Sequence, residues 1–335
     1  MAPSPSGRLN RIGNAYFGRG RYAEAFSCYQ KALEYDRKAA DAAELIATLG
    51  NLGNICAVSG QREQADTYYR EVLSLQKRLG DEGGIGATLV NLGNLRADVG
   101  EWDRARAYYL EARDILDRLH DDAALAILHS DLGLVARETG AFDDALREYE
   151  RSLQLMRRIG NQPGVADVYR MMARTYATRQ MWEEAASCAQ TSLEIAQRLG
   201  DDLRLAGAMY VLAGVREQQG RIDDAIKLFE RVVQYDRQYQ LPKLQENMQR
   251  LAALHERQSR DITPAHPEAG KTASIPDTPA HPGGVETPPL PMAPAHPEAA
   301  ITPSLPKPAE AGFCSHGTAS VPDTPGSLKG DTEQA

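Results

Sequence analysis

Apolar and small residues recur along this chain at two interleaved helical spacings, and the pattern repeats every 40 residues. In each repeat a first stripe falls at i, i+3, i+4 and i+7. It reads Leu9, Ile12, Gly13, Tyr16, then Leu49, Leu52, Gly53, Cys56, and later Tyr169, Met172, Ala173, Tyr176. A second stripe follows after a short break, as in Trp102, Ala105, Tyr109, Ala112. This spacing follows the 3.6-residue period of a helix and not the period of 2 of a strand. The sequence therefore predicts helical hairpins throughout, with neither stripe able to bury itself alone.

The breaks repeat as strictly as the stripes. GRYAEA starts at Gly20, GQREQA at Gly60, GEWDRA at Gly100 and GAFDDA at Gly140, followed by QMWEEA at Gln180 and GRIDDA at Gly220. Glycine after a first helix takes the left-handed cap conformation at little cost. Acidic residues then open the second helix, where the helix dipole favours them. Alanine stands five positions after the start of every break, at 25, 65, 105, 145, 185 and 225, as a close helix crossing requires. Between repeats, Gly80, His120, Gly160 and Gly200 end the second helices. Asp41, Asp81, Asp121, Asn161 and Asp201 follow as N-caps. Asp41 with Glu44 predicts a capping box. Pairs such as Leu75 and Leu79, Met156 and Ile159, and Ile195 and Leu199 are expected to extend the apolar stripe.

The motif Leu9, Ile12, Gly13, Tyr16, Ala25, Tyr29, repeated as Leu89, Leu92, Gly93, Ala105, Tyr109, resembles the tetratricopeptide repeat. The lengthened unit is similar to the subclass found in kinesin light chain and in Pins-type adaptors. The resemblance implies an all-α fold, a right-handed α-solenoid of six helix hairpins over residues 6–240. A polar-faced capping helix is expected at 241–260, beginning near Pro242 and exposing Gln245, Gln249, Arg250, Glu256 and Arg257.

Composition shifts sharply beyond this. Fifteen of the 19 prolines lie in residues 261–335, where Phe313 is the sole aromatic residue. Such a segment cannot offset the entropy of ordering, so residues 261–335 and the first five residues are expected to be disordered. AlaHisPro recurs at 265, 280 and 295, which fits a linker or a multivalent ligand. Three lysines against nine carboxylates give the tail −6 of the chain's −8, leaving the repeats nearly neutral. The PxxP spacings and five Thr-Pro pairs of the tail are weak signals for partner recognition or phosphorylation.

Function classes narrow accordingly. No basic footprint for nucleic acid is present, and no apolar run is long enough for a bilayer. With no visible signal peptide the cytoplasm is the expected compartment. Cys28, Cys56, Cys188 and Cys314 fit no metal or disulfide spacing. No nucleophile–base constellation, cofactor motif or metal set can be assembled, so no catalytic residue, cofactor or metal is expected. The expected partners are other proteins, presenting an extended peptide or a helix.

In tetratricopeptide proteins the first helices line a concave groove, which implies a binding stripe here. Asn14, Asn54 and Asn94 form a ladder on it, with Asn51 and Asn91 on nearly the same side. Their amides could pair with a peptide backbone. Asparagine ladders of this kind are what the resemblance to kinesin light chain implies, although NLGN at 51–54 and 91–94 is also near the ordinary repeat consensus. Arg137, Arg170 and Arg174 continue the stripe and suit an acidic ligand. Their alternative is local pairing with Asp131, Glu138 or Asp167. First helices without lysine argue against a chaperone-tail clamp, and the absence of Asp-Gln-Arg argues against a G-protein motif of the Pins type. The reading is a scaffold or adaptor; self-assembly as a structural protein and a peptide-sensing regulator are the alternatives.

Overall fold

The computed structural model describes residues 4–39 and 41–262. The expectations for the first three residues and for the tail from 263 onward lie outside the described residues. Thirteen helices and no strand are present among the described residues. They are α1 (Pro5–Phe17), α2 (Tyr22–Ala39), α3 (Ala42–Val58), α4 (Arg62–Leu79), α5 (Glu82–Ala97), α6 (Trp102–Leu119) and α7 (Asp122–Glu138). The series continues with α8 (Phe142–Arg158), α9 (Gln162–Thr178), α10 (Trp182–Leu199), α11 (Asp202–Gln218), α12 (Ile222–Tyr239) and α13 (Leu244–Ile262).

Each odd helix packs most closely on the even helix that follows, and each even helix on the next odd one. First helices also touch along the row, α1 with α3, α5 with α7, α7 with α9, and α9 with α11. The result is an α-solenoid whose core runs from unit to unit. The alanine of every second helix sits at the crossing with its first helix, and Ala25, Ala65, Ala105, Ala145, Ala185 and Ala225 are all 0% exposed.

The ends of the helices behave as their residues dictate. The Asp81, Asp121, Asn161 and Asp201 side chains each accept from a backbone N–H three residues on, at 2.9–3.0 Å. The first breaks turn on left-handed glycines such as Gly60 (φ 75°) and Gly140 (φ 80°). His120 (φ 53°) and Gln180 (φ 59°) adopt the same conformation without being glycine. The hairpin geometry there overrides the local cost.

Three sequence expectations are corrected by packing. Asp41 caps α3 through the amides of Ala43 (3.0 Å) and Glu44 (3.2 Å). The Glu44 carboxylate, however, accepts from the hydroxyls of Ser4 and Ser6 and not from the Asp41 amide, so half of the capping box ties down the first unit instead. Ile12 is 49% exposed, whereas its counterparts Leu52, Leu92 and Leu212 are buried, because α1 has no preceding unit to cover that face. Leu75, Met156 and Ile195 are buried, but Leu79, Ile159 and Leu199 are exposed at the rim, where their helices outrun the neighbouring unit.

The last helix runs from Leu244 to Ile262 and packs on α12 through Leu254, which is 2% exposed. Arg250 turns toward α11 and α12 and does not stand on the solvent face of this helix. Its guanidinium lies over Tyr210 and Phe229, 5.7 and 4.8 Å from their ring centroids, and bonds to Glu217 at 2.7 Å.

Candidate functional site

The face lined by the first helices carries every candidate residue, but it divides into two chemically different halves. In units 1 to 3 one arrangement repeats. A glycine in the first helix opposes a tyrosine of the second helix, and a Cβ added to Gly13 or Gly53 would lie 2.5 Å from the Tyr29 or Tyr69 ring. The tyrosine therefore reaches under the first helix, and its hydroxyl donates to the asparagine one residue beyond the glycine. These bonds are Tyr29 to Asn14 at 2.7 Å, Tyr69 to Asn54 at 2.7 Å and Tyr109 to Asn94 at 2.5 Å. Burial pushes the Tyr29, Tyr69 and Tyr109 hydroxyls well above the ordinary tyrosine range, so each remains a donor.

The asparagine ladder thus has a structural duty that the sequence reading did not assign. Each Oδ1 is held by a buried tyrosine, which fixes the amide plane and leaves Nδ2 as the group turned to other uses. Asn14, Asn54 and Asn94 are all half-buried. Asn51 Nδ2 faces Asn10 Oδ1 at 3.4 Å, and Asn10 donates in turn to Thr48 at 2.6 Å, which donates to Asp36 at 2.6 Å. Asn51 therefore belongs to a network tying α1 to α3. Asn91 is half-buried at the corresponding position of α5.

Unit 4 breaks the pattern. Leu134 replaces the asparagine, and Tyr149 Oη is buried with no hydrogen-bond partner among the described residues. The neighbouring Thr175 hydroxyl donates to the Met171 carbonyl at 3.0 Å instead. In units 5 and 6 glycine gives way to Ala173 and Ala213, opposite Ala189 and Phe229.

The arginines occupy this second half. Arg137 bonds to Glu138 at 2.7 Å. Arg170 is only 7% exposed and faces Asp167 at 3.5 Å, while Asp167 also accepts from Arg204 at 3.0 Å. Its stem lies against α11 at Gly207, where an added Cβ would stand 3.6 Å from Arg170 Cδ. Sequence reading put Arg170 outside the core; the structure buries it between α9 and α11, because the small Gly207 leaves room for it. Local pairing, the alternative reading, is thus present at Arg137 and Arg170.

Arg174 is half-buried one turn beyond Arg170. Burial, and then the positive charges of Arg170 and Arg137, lower its pKa to about 9. Three cationic groups therefore converge where α7 and α9 meet. Asp131, at the α7 position matching Asn51 and Asn91, has its carboxyl pushed up to about 7 by burial. Beyond them along the row stands Tyr210, flanked by Arg250 and by Lys243, whose Nζ lies 5.6 Å from the ring centroid. Sequence reading missed Tyr210; it named Asp131 only as a pairing partner for the arginines and Arg250 only on the polar face of the last helix. The 40-residue period could have supplied Tyr210 and Arg250, which follow Arg170 in register.

No group of three or more His, Cys, Asp or Glu side chains could hold a metal among the described residues. No helix there is long and apolar enough to cross a membrane.

Comparison with known proteins gives the same picture of the fold. No curated protein matches the chain. Among solved structures, BtubC (BKLC) from P. vanneervenii is 19% identical with a TM-score of 0.53, over 76% of this chain and 97% of that one. A Rap protein complexed with Competence and Sporulation Factor is 14% identical with a TM-score of 0.57, over 76% of each chain. A signal-transduction ATPase with a tetratricopeptide repeat sensor, PH0952 from Pyrococcus horikoshii, is 14% identical with a TM-score of 0.64. The match covers 76% of this chain but only 39% of that one. Residues 8–78 match the tetratricopeptide repeat family and residues 85–282 the family described as the MalT-like TPR region. With its hairpins, its 40-residue register and these matches, the chain belongs to the tetratricopeptide-repeat family, whose members are typically non-enzymatic interaction proteins.

Proposed function

We propose that this chain is a scaffold or adaptor that takes a partner peptide or helix along its first-helix face. Backbone is read by asparagine amides in units 1 to 3, and negative charge by the arginines of units 4 and 5. The observation that carries this reading is the convergence of Arg137, Arg170 and Arg174 on the row that begins with Asn14, Asn54 and Asn94. Besides burial, Arg170 and Arg137 both lower the Arg174 pKa, an effect that an anionic ligand would oppose.

Asn51 serves mainly to join α1 to α3, and the half-buried Asn91 is the ladder neighbour assigned to the ligand. The asparagines act mainly as donors through Nδ2, since Tyr29, Tyr69 and Tyr109 each bond to their carbonyl oxygens. The acting compartment on this reading is the cytoplasm.

The test uses the full chain as bait, alongside Asn54→Ala/Asn94→Ala and Arg174→Gln. Arg174 is preferred over Arg170, whose burial would confuse binding with folding. Proteins retained by the wild type and lost from both variants are groove ligands. Their binding to Arg174→Gln should weaken most at low salt, because surface charge attraction is screened beyond about 8 Å at physiological ionic strength. Unchanged retention by both variants would move the site off this face. The peptide-sensing regulator is the second reading, favoured by the match along 76% of a Rap protein solved with a factor bound. A self-assembling structural role would show as a concentration-dependent mass in light scattering.

A further inference from the structure

We infer that the first occupant of this face is the chain's own tail, the acidic segment 263–299, which partners must displace. The inference rests on the groove reading above and adds the identity of a ligand and a regulation to it.

Charge supplies the first argument. The described repeats are nearly neutral, yet Arg137, Arg170 and Arg174 all stand on α7 and α9, which touch along the row. The segment 263–299 has no arginine and carries −3, from Glu268, Asp277, Glu286 and Glu298 against Lys271. The motif AlaHisProGluAla occurs there twice, at 265–269 and 295–299. Hydrogen-bonding chemistry supplies the second. With one lone pair of each carbonyl oxygen taken by a tyrosine, Asn14, Asn54 and Asn94 offer chiefly their Nδ2 donors. A proline-rich chain is poor in N–H groups and keeps its full complement of carbonyl acceptors.

Connectivity supplies the third. The last helix ends at Ile262, in the seventh place of the same row of helices. Neighbouring helix axes stand roughly 10 Å apart, so α9 lies about 20 Å back along the row. Asp277 is 15 residues beyond Ile262 and could span up to about 50 Å, so it and the acidic residues after it reach Arg174 without strain. Tethering also raises the local concentration of the tail to the order of millimolar. A segment of micromolar affinity would then fill the groove most of the time, and a partner of similar strength would bind poorly.

The test titrates a fluorescent synthetic peptide of residues 263–299 into the full chain. It is repeated with a variant whose tail is neutralised by Glu268→Gln, Asp277→Asn, Glu286→Gln and Glu298→Gln. The free peptide should bind the neutralised variant at least tenfold more tightly than the wild type, and the gain should shrink with salt. Adding Arg174→Gln to the neutralised variant should remove the gain, while circular dichroism shows the fold intact. Equal binding to wild type and neutralised variant, or a gain that survives Arg174→Gln, overturns the inference. An unrelated glutamate-rich peptide of equal charge serves as the control. If it binds through Arg174 and the tail peptide does not, the tail is not the ligand and the groove reading stands. If neither binds, the groove reading falls as well.

Discussion

Units 1 to 3 and units 4 to 6 are built on the same hairpin but use the space beneath the first helix differently. In the first half glycine admits a tyrosine ring, and the tyrosine hydroxyl locks an asparagine on the groove face. In the second half that lock is dissolved step by step. Leu134 leaves Tyr149 without its bond, Ala173 and Ala189 fill the space with small groups, and the asparagine position becomes in turn Leu134, Arg174 and Gly214. One half presents amides held by neutral tyrosine hydrogen bonds, the other arginines held in part by ion pairs such as Asp167 with Arg170 and Arg204. A repeat fold can thus keep its core register while exchanging what its face offers, because core and face residues alternate around the same helix.

The largest expected effects should be common to both halves. Ala105→Glu and Ala145→Glu, one on each side of the divide, place a carboxylate at a crossing that is 0% exposed. Each should cost on the order of 3 kcal/mol or more, from overpacking and an unpaired buried charge. A melting temperature within a degree of wild type for either would misplace the crossing.

Gly53→Ala should separate the halves. Its Cβ would meet the Tyr69 ring at 2.5 Å, and about 2–3 kcal/mol of stability should be lost. Adding Tyr69→Ala should recover part of that loss in a double-mutant cycle. Unit 5 already carries Ala173 opposite Ala189, so Ala173→Gly should bring no relief of strain, only a helix-propensity loss of about 1 kcal/mol. Denaturant midpoints measure all three.

Asp131 should show the divide through pH. Its carboxyl is raised from an ordinary 3.8 to about 7 by burial. Between those values the folded state holds more protons than the unfolded, so this group's contribution is favourable at low pH and lost as pH rises through 7. Asp131→Asn should therefore raise stability at pH 8 by about 1–2 kcal/mol, the group being only half-buried, and leave it nearly unchanged at pH 4. Thermal melts at the two pH values decide this; equal shifts at both would show that Asp131 is not held in its neutral form by the fold.

The smallest effect is the sharpest comparison. Tyr109→Phe removes a 2.5 Å bond to Asn94 and should cost about 1 kcal/mol. Tyr149→Phe removes a buried hydroxyl without a described partner and should be neutral or slightly stabilising. Equal losses would mean that the asparagine lock contributes nothing that unit 4 lacks.

Much of this was legible in residues alone. The strict recurrence of alanine, cap residues and left-handed breaks specified six hairpins, because each local signal answers a backbone requirement that neighbouring residues fully determine. Even His120 and Gln180 kept their places in the register. What the chain's linear order could not settle was which polar side chains meet. Asn54 and Tyr69 lie 15 positions apart, and only the hairpin brings them together. Glu44 turns to Ser4 and Ser6, 38 to 40 residues away, instead of to its own cap. Arg170 became a buried residue because Gly207, one unit on, makes room for its stem. Arg250 turned inward because Tyr210 and Phe229 offer ring faces that solvent does not. Helical period and capping are properties of a segment and are written into it. Burial and charge at the groove are properties of the contact between segments, and only their packing against one another decides them.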